Sequence, residues 1–164
     1  MAIRVAINGF GRIGRMVMRS IIGRGINVEV VGINDLSDPE ELAHLLRYDS
    51  VHGRSSVPGE VRGGNFIIGG KEVHCTQIRN VDELKWKDLG ADIVLECTGL
   101  FRNREAAANH LKAGARKVII SAPGKDVDAT FVLGVNEDTY DPANHDIVSN
   151  ASCTTNCLAP VVKI

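Results

Sequence analysis

Val5-Ala6-Ile7-Asn8-Gly9-Phe10-Gly11-Arg12-Ile13-Gly14 is the stretch on which the fold turns. It begins as a short apolar run, breaks at Asn8-Gly9, and continues into a segment where Ile13, Met16, Val17 and Ile21 recur at helical spacing. The order is strand, glycine turn, helix. Gly9, Gly11 and Gly14 fit a G-x-G-x-x-G pattern, in which the glycines permit a tight turn, close approach of a pyrophosphate and close helix-to-strand packing. A pyrophosphate there would rest on the helix N-terminus, where N–H groups around Arg12 and Ile13 lack intrahelical acceptors and the helix dipole is positive. A glycine-rich loop alone also occurs without a ligand, so the context carries the weight. A second apolar, β-branched run at 28–33 ends in Asn34-Asp35, which places an acid 21 residues beyond Gly14. Asp35 is suited to accept hydrogen bonds from the adenosine ribose hydroxyls, and its charge would repel a 2′-phosphate, so NAD is expected rather than NADP.

Outward from this unit, strand and helix keep alternating. Pro39, after Ser37 or Asp38 as cap, opens a helix with Leu42, Leu45 and Leu46 on one side, ending near Tyr48. Residues 49–63 are polar and glycine-rich. The runs 65–68 and 72–75, joined by Gly69-Gly70-Lys71, predict a hairpin inserted between the larger elements. Two more buried strands are expected at 92–96 and 117–121, separated by an alanine-rich helix over 104–113, and two shorter ones at 130–133 and 147–148. This predicts an α/β fold of Rossmann type: a doubly wound, mainly parallel sheet with an inserted hairpin. Residues 1–151 are expected to form the dinucleotide-binding domain. Residues 152–164 begin a further helix, capped by Ser152 and kinked at Pro160, whose apolar tail (Leu158, Ala159, Val161, Val162, Ile164) stops without a polar finish. That ending reads as a fragment lacking a C-terminal catalytic domain.

Composition narrows the classes of partner. The 164 residues, 44% of them hydrophobic, suffice for one core. Nineteen basic and 20 acidic side chains leave a formal charge of -1, which removes the electrostatic case for nucleic acid or an anionic membrane. No leader pattern and no run of some 18 apolar residues is present, so a soluble protein is expected. Four cysteines without a secretory signal do not read as a disulfide framework and favour the reducing cytoplasm.

Ser149-Asn150-Ala151-Ser152-Cys153-Thr154-Thr155-Asn156-Cys157 is the most informative chemical segment. A cysteine in a helix's first turn meets unpaired N–H groups and the positive dipole end, both of which favour thiolate, so Cys153 is the candidate nucleophile. The same N–H groups, with the hydroxyls of Ser152 and Thr154, could hold an oxyanion or a phosphate. Cys157, one turn later, is expected to be a small core residue. No histidine or further cysteine pair completes a metal site around them. His44, His52, His74, His110 and His145 are expected to be surface or satisfied structural residues, and none is assigned as a general base.

The segment ASCTTNCLAP, Ala151 through Pro160, resembles the signature of the phosphorylating glyceraldehyde-3-phosphate dehydrogenases. The resemblance also covers residues 5–15, residues 45–53, Thr98-Gly99-Leu100-Phe101 and Ser121-Ala122-Pro123. It implies that Cys153 attacks the aldehyde of glyceraldehyde 3-phosphate, that hydride loss leaves a thioester, and that inorganic phosphate releases 1,3-bisphosphoglycerate. Ser152 and Thr154 match positions contacting substrate or phosphate. The implied NAD contacts are Asn8, Gly9, Gly11, Arg12, Ile13, Gly14, Asp35, Thr98, Gly99, Phe101 and Ser121, with Arg79 near the adenine. Around Arg79 the sequence departs from the family pattern, having Ile78 before it and Asn80-Val81 after it, and Cys97 stands where serine or alanine is frequent. The resemblance further implies a homotetrameric, cytoplasmic, glycolytic enzyme whose general base lies outside these residues, so this chain alone is expected to bind NAD without turnover. Erythrose-4-phosphate dehydrogenase shares the glycine and cysteine motifs and is the alternative; Ser121-Ala122-Pro123 leans toward the glyceraldehyde enzyme.

Overall fold

A computed structural model describes residues 2–56 and 59–164. In chain order its elements are β1 (Ile3–Asn8), α1 (Arg12–Arg24), β2 (Val28–Asn34), α2 (Pro39–Arg47), β3 (Tyr48–Asp49), β4 (Gly53–Arg54), β5 (Gly59–Arg62), β6 (Asn65–Ile68), β7 (Lys71–Thr76), β8 (Ile93–Glu96), α3 (Arg104–Lys112), β9 (Lys117–Ile120), β10 (Ala129–Thr130), β11 (Ile147–Ser149) and α4 (Cys153–Lys163). Nine strands form one sheet in the order β10-β11-β9-β8-β1-β2-β7-β6-β5. Every neighbouring pair from β10 to β7 is parallel, and only β7-β6-β5 runs antiparallel. The chain winds outward from β1 in both directions. The mainly parallel, doubly wound expectation is met.

Period-two alternation divides the core between the two faces. Ile7 and Ile33 turn toward α1 and α2, where they meet Met18, Leu42, Leu46, Phe66 and Val73. Ala6, Val31 and Val94 turn to the other face, against Val81, Leu84, Trp86 and Ala115, and Ala107 of α3 covers Val118, Ile120 and Ile147. Full burial of side chains such as Ile7, Ile33, Leu46 and Phe66 contributes about 1.5–3 kcal/mol each against leaving them exposed.

The hairpin departs from the expectation in its relation to the sheet. Gly69 and Gly70, both with positive φ, close a two-residue turn between β6 and β7, as the sequence predicts. Yet β7 also pairs in parallel with β2, so the hairpin extends the main sheet, and β5 adds a third antiparallel strand from the glycine-rich segment. The strand expected over 130–133 is confined to Ala129–Thr130. Asn136 ends it: its side-chain oxygen accepts from the Val132 N–H at 2.9 Å and its amide donates to the Thr130 carbonyl at 3.0 Å, which turns the chain and leaves Leu133 exposed. No helix among the described residues is long and apolar enough to cross a membrane.

Candidate functional site

Parallel pairing brings the ends of β1, β2 and β8 to one edge of the sheet, on either side of the point where the winding direction reverses, the usual place for a ligand crevice in such folds. A cleft of about 300 Å³ opens there. Of the residues expected at the cofactor, Asn8, Gly9, Gly11, Asp35, Arg79, Thr98 and Phe101 line it. Leu36, Ile78, Val81, Cys97 and Leu100, none of them assigned as a cofactor contact from the sequence, add mostly apolar walls.

The glycines have separate reasons to be there. Gly9 adopts φ +89°, and a Cβ on it would lie 2.7 Å from the Thr98 nitrogen. A Cβ on Gly14 would lie 2.3 Å from the Gly9 carbonyl oxygen, so this buried glycine lets α1 press on the turn. A Cβ on Gly11 would meet nothing within 4 Å, and the space above it is open to the cleft. Side chains of Asp38, Asn103 and Ser152 cap α2, α3 and α4, whereas α1 has no side-chain cap and no acid in its first turn. Its first N–H groups, at the exposed residues Arg12 and Ile13, are left for an external acceptor.

Asp35 is held at the cleft by two backbone donors. One carboxylate oxygen accepts the Phe10 N–H at 2.7 Å and the other the Ser37 N–H at 2.9 Å, with lone pairs remaining on both. At the rim, the Arg12 guanidinium pairs with Asp49 at 3.0 Å. The N–H groups of His52 and Val51, reinforced by Arg12, hold the Asp49 carboxyl down at about 2. Gly99, at φ +74°, follows Thr98 but does not line the cleft. Ser121 follows β9, one strand over from β8; its N–H donates to the Glu96 carbonyl at 3.0 Å and its side chain meets the Cys97 thiol.

Beneath the cleft lies a buried polar layer that sequence reasoning missed. The Asn34 side-chain amide donates to the Asn8 side-chain Oδ1 at 2.8 Å, and the Asn8 side-chain amide donates to Glu96 at 2.7 Å. Glu96 also accepts from His110 at 2.9 Å and from both the N–H and hydroxyl of Thr98, while His110 accepts the Trp86 indole N–H at 3.0 Å. With Trp86 donating to Nδ1, the hydrogen of His110 is on Nε2 and points at the carboxylate. Asn34 further takes the Thr76 hydroxyl and the Ile78 N–H, joining β7 to the chain. The only available signal was a polar residue ending each apolar strand. His44, His52 and His74 are exposed, and His145 packs on Phe131 and Tyr140.

The cysteine turn sits on the same edge of the sheet. From β11 the chain passes Ala151, at φ +64°, to Ser152, whose hydroxyl accepts the Thr155 N–H at 2.9 Å. Asn156 braces the turn by donating to the carbonyls of Asn150 and Ser152 at 2.7 and 2.9 Å. Cys153 is exposed, with the Thr154 hydroxyl 4.0 Å from its sulfur. Cys157, expected in the core, is exposed instead: no residue of α4 is buried. The helix leans on the body through Lys163, which donates to the carbonyls of Gly134 and Val135, and its apolar residues pack on nothing among the described residues that would cover this cysteine. Burial pushes the Cys75 and Cys97 thiols up to about 11. β1 and β11 are three strand positions apart, roughly 14 Å at the usual spacing, so the starts of α1 and α4 face solvent along one edge.

An uncapped helix start, an open glycine, a braced acid and apolar walls fit a dinucleotide: a diphosphate on α1, ribose hydroxyls at Asp35 and an adenine between the walls. Comparison with known proteins agrees. Residues 3–104 match the family model described as glyceraldehyde 3-phosphate dehydrogenase, NAD binding domain. The chain is 56% identical over 164 residues to a glyceraldehyde-3-phosphate dehydrogenase of Geobacillus stearothermophilus, and 57% identical over 168 aligned positions to one of Pseudomonas aeruginosa; each alignment covers 100% of this chain and 49% of the relative. The chain thus spans about half the length of the curated relatives it matches. It belongs to the glyceraldehyde-3-phosphate dehydrogenase family, as the NAD-binding domain, and its cofactor is NAD.

Proposed function

We propose that this chain is the cofactor-binding part of a protein that oxidises and phosphorylates glyceraldehyde 3-phosphate, with Cys153 as the nucleophile. The observation that carries the proposal is the placement of Cys153 in the first turn of α4, exposed, on the same sheet edge as the cofactor cleft. Residues 1–151 form the cofactor domain in this reading, and α4 leads toward the substrate-binding part. The N–H groups of the first turn favour the thiolate and face the oxygen that becomes negative when the sulfur adds to the aldehyde carbon. Bound NAD supplies the acceptor for the hydride leaving that carbon. The Cys153 sulfur then holds the acyl group as a thioester; phosphate oxygen attacks, the carbon–sulfur bond breaks, and the thiolate returns. Thr154 offers a hydroxyl beside the sulfur, whereas the Ser152 hydroxyl is occupied as the helix cap, so Ser152 contributes chiefly by shaping the turn.

The cofactor contacts are assigned by the same reasoning: Asn8, Gly9, Gly11, Asp35, Arg79, Thr98 and Phe101 at the cleft, Arg12, Ile13 and Gly14 at the start of α1, and Gly99 and Ser121 on the flanking loops. A homotetramer and a cytoplasmic location follow from the family resemblance, as does the need for a general base outside these residues. Erythrose 4-phosphate is not favoured as substrate, since the relatives compared are named for glyceraldehyde 3-phosphate.

The test is an assay of the full-length protein with glyceraldehyde 3-phosphate, NAD and phosphate. Cys153→Ser is expected to lower turnover by about a thousandfold or more while NAD still binds. Undiminished NADH formation by that variant would remove Cys153 from the mechanism.

A further inference from the structure

Ser149 ends β11 with 1% of its surface exposed, and its hydroxyl spends its whole hydrogen-bonding capacity on backbone. It donates to the Ala122 carbonyl at 2.7 Å and accepts the N–H groups of Gly124 at 3.2 Å and Ala151 at 3.0 Å. The first two groups belong to the loop after β9, which begins at Ser121. The third belongs to the turn that leads into Cys153. One buried oxygen therefore ties together the loop proposed to meet the cofactor and the turn proposed to carry the nucleophile.

The tie is made where the backbone most needs it. Ala151 is 4% exposed and sits at φ +64°, a conformation an L residue with a side chain adopts only under local constraint. Its N–H is the atom Ser149 holds. If the hydroxyl is removed, Ala151 loses the acceptor that keeps it in this conformation, and the half-buried Ala122 carbonyl and Gly124 N–H lose their partner as well. The direction in which Ser152 and Cys153 leave the turn is then set by Asn156, by the helix cap and by the Asn150 N–H on the Ile120 carbonyl. The loop after β9 offers little slack to compensate, since a Cβ on Gly124 would already lie 3.0 Å from the Ser149 Cβ and 2.7 Å from Val127.

We infer that Ser149 is a positioning residue, whose buried hydroxyl sets the turn presenting Cys153 relative to the loop after β9. The inference rests on the reading of Cys153 as nucleophile and is separable from it, because Cys157 lies exposed on the same helix one turn later and serves as an internal reference.

In the 164-residue chain, where both Cys153 and Cys157 are exposed, iodoacetamide labelling of the two cysteines at neutral pH is followed by mass spectrometry, together with thermal unfolding. Ser149→Ala is expected to slow Cys153 labelling about tenfold, because first-turn N–H groups are no longer aimed at the sulfur, with Cys157 within about twofold of its original rate. Ser149→Thr, which keeps the hydroxyl, restores the ratio. Gly124→Ala pushes on the Ser149 side chain at its Cβ from the other loop and moves the ratio in the same direction. General loosening would lower the unfolding temperature without altering that ratio. A folded Ser149→Ala protein with the original ratio overturns the inference, as does a Ser149→Thr protein that behaves like Ser149→Ala. If Ser149→Ala does not fold, Gly124→Ala decides; loss of fold in both makes the hydroxyl a determinant of folding and likewise overturns it. Equal labelling of Cys153 and Cys157 in the unaltered protein would instead sink the nucleophile reading itself.

Discussion

Asp35 shows how one side chain serves the turn and the cleft together. Its two oxygens hold the N–H groups of Phe10, within the glycine turn, and Ser37, and so the carboxylate arrives at the cleft already oriented. Asp35→Ala is expected to weaken NAD binding by about 1.5–3 kcal/mol, the range for hydrogen bonds to a charged group, and titration calorimetry measures it. An unchanged affinity would place the ribose elsewhere. Asp35 was legible because its meaning depends on local spacing: an apolar strand, an acid at its end, and a glycine turn a fixed distance before. The place of Cys153 in the first turn of α4 was legible for the same reason. Cys157 was not, because its burial depends on what packs against α4, and helical periodicity cannot say whether a neighbour is present.

At the scale of elements, the ends of β1, β2 and β8 are joined to α3 and Trp86 by the side chains of Asn8, Asn34, Glu96 and His110. Trp86→Phe leaves the His110 Nδ1 without a donor in a site with no solvent exposure, which is expected to cost about 1–3 kcal/mol in urea denaturation. A cost within error of zero would mean that the layer rearranges freely. This layer could not be read beforehand, since Asn8 and Glu96 are 88 positions apart and only the sheet brings them together. The same limit explains β7, whose hairpin was evident from Gly69-Gly70 but whose parallel partner, β2, was not. The short β3–β4 pair carries a pH dependence of its own. Asp49 is held near 2, below its ordinary 3.8, so its contribution to stability is complete above that ordinary value and fades as pH falls toward 2. Acid unfolding of Asp49→Asn is expected to lack that component. If both proteins show the same pH dependence between about 4 and 2, the hairpin carboxylate does not contribute.

For the molecule as a whole, NAD should act as a stabiliser, because its proposed contacts come from β1, β2, β8 and the loops after them, and unfolding must separate all of these. At a free concentration one hundred times its dissociation constant, the expected gain is about 2.7 kcal/mol, visible as a rise in unfolding temperature with added NAD. NADP at the same concentration should give a smaller rise, since Asp35 faces the 2′ position in this reading. Equal shifts would contradict it.

The central place of β1 also has a temporal consequence. Among these strands it leaves the ribosome before the others, yet one flank must wait for β8, whose Glu96 follows Asn8 by 88 residues. At typical synthesis speeds that wait is roughly 4–18 seconds, during which a row of unpaired amides beside Ile7 is open to wrong partners. A nascent chain stalled before Ile93 should therefore be a chaperone client, and one released after Glu96 much less so.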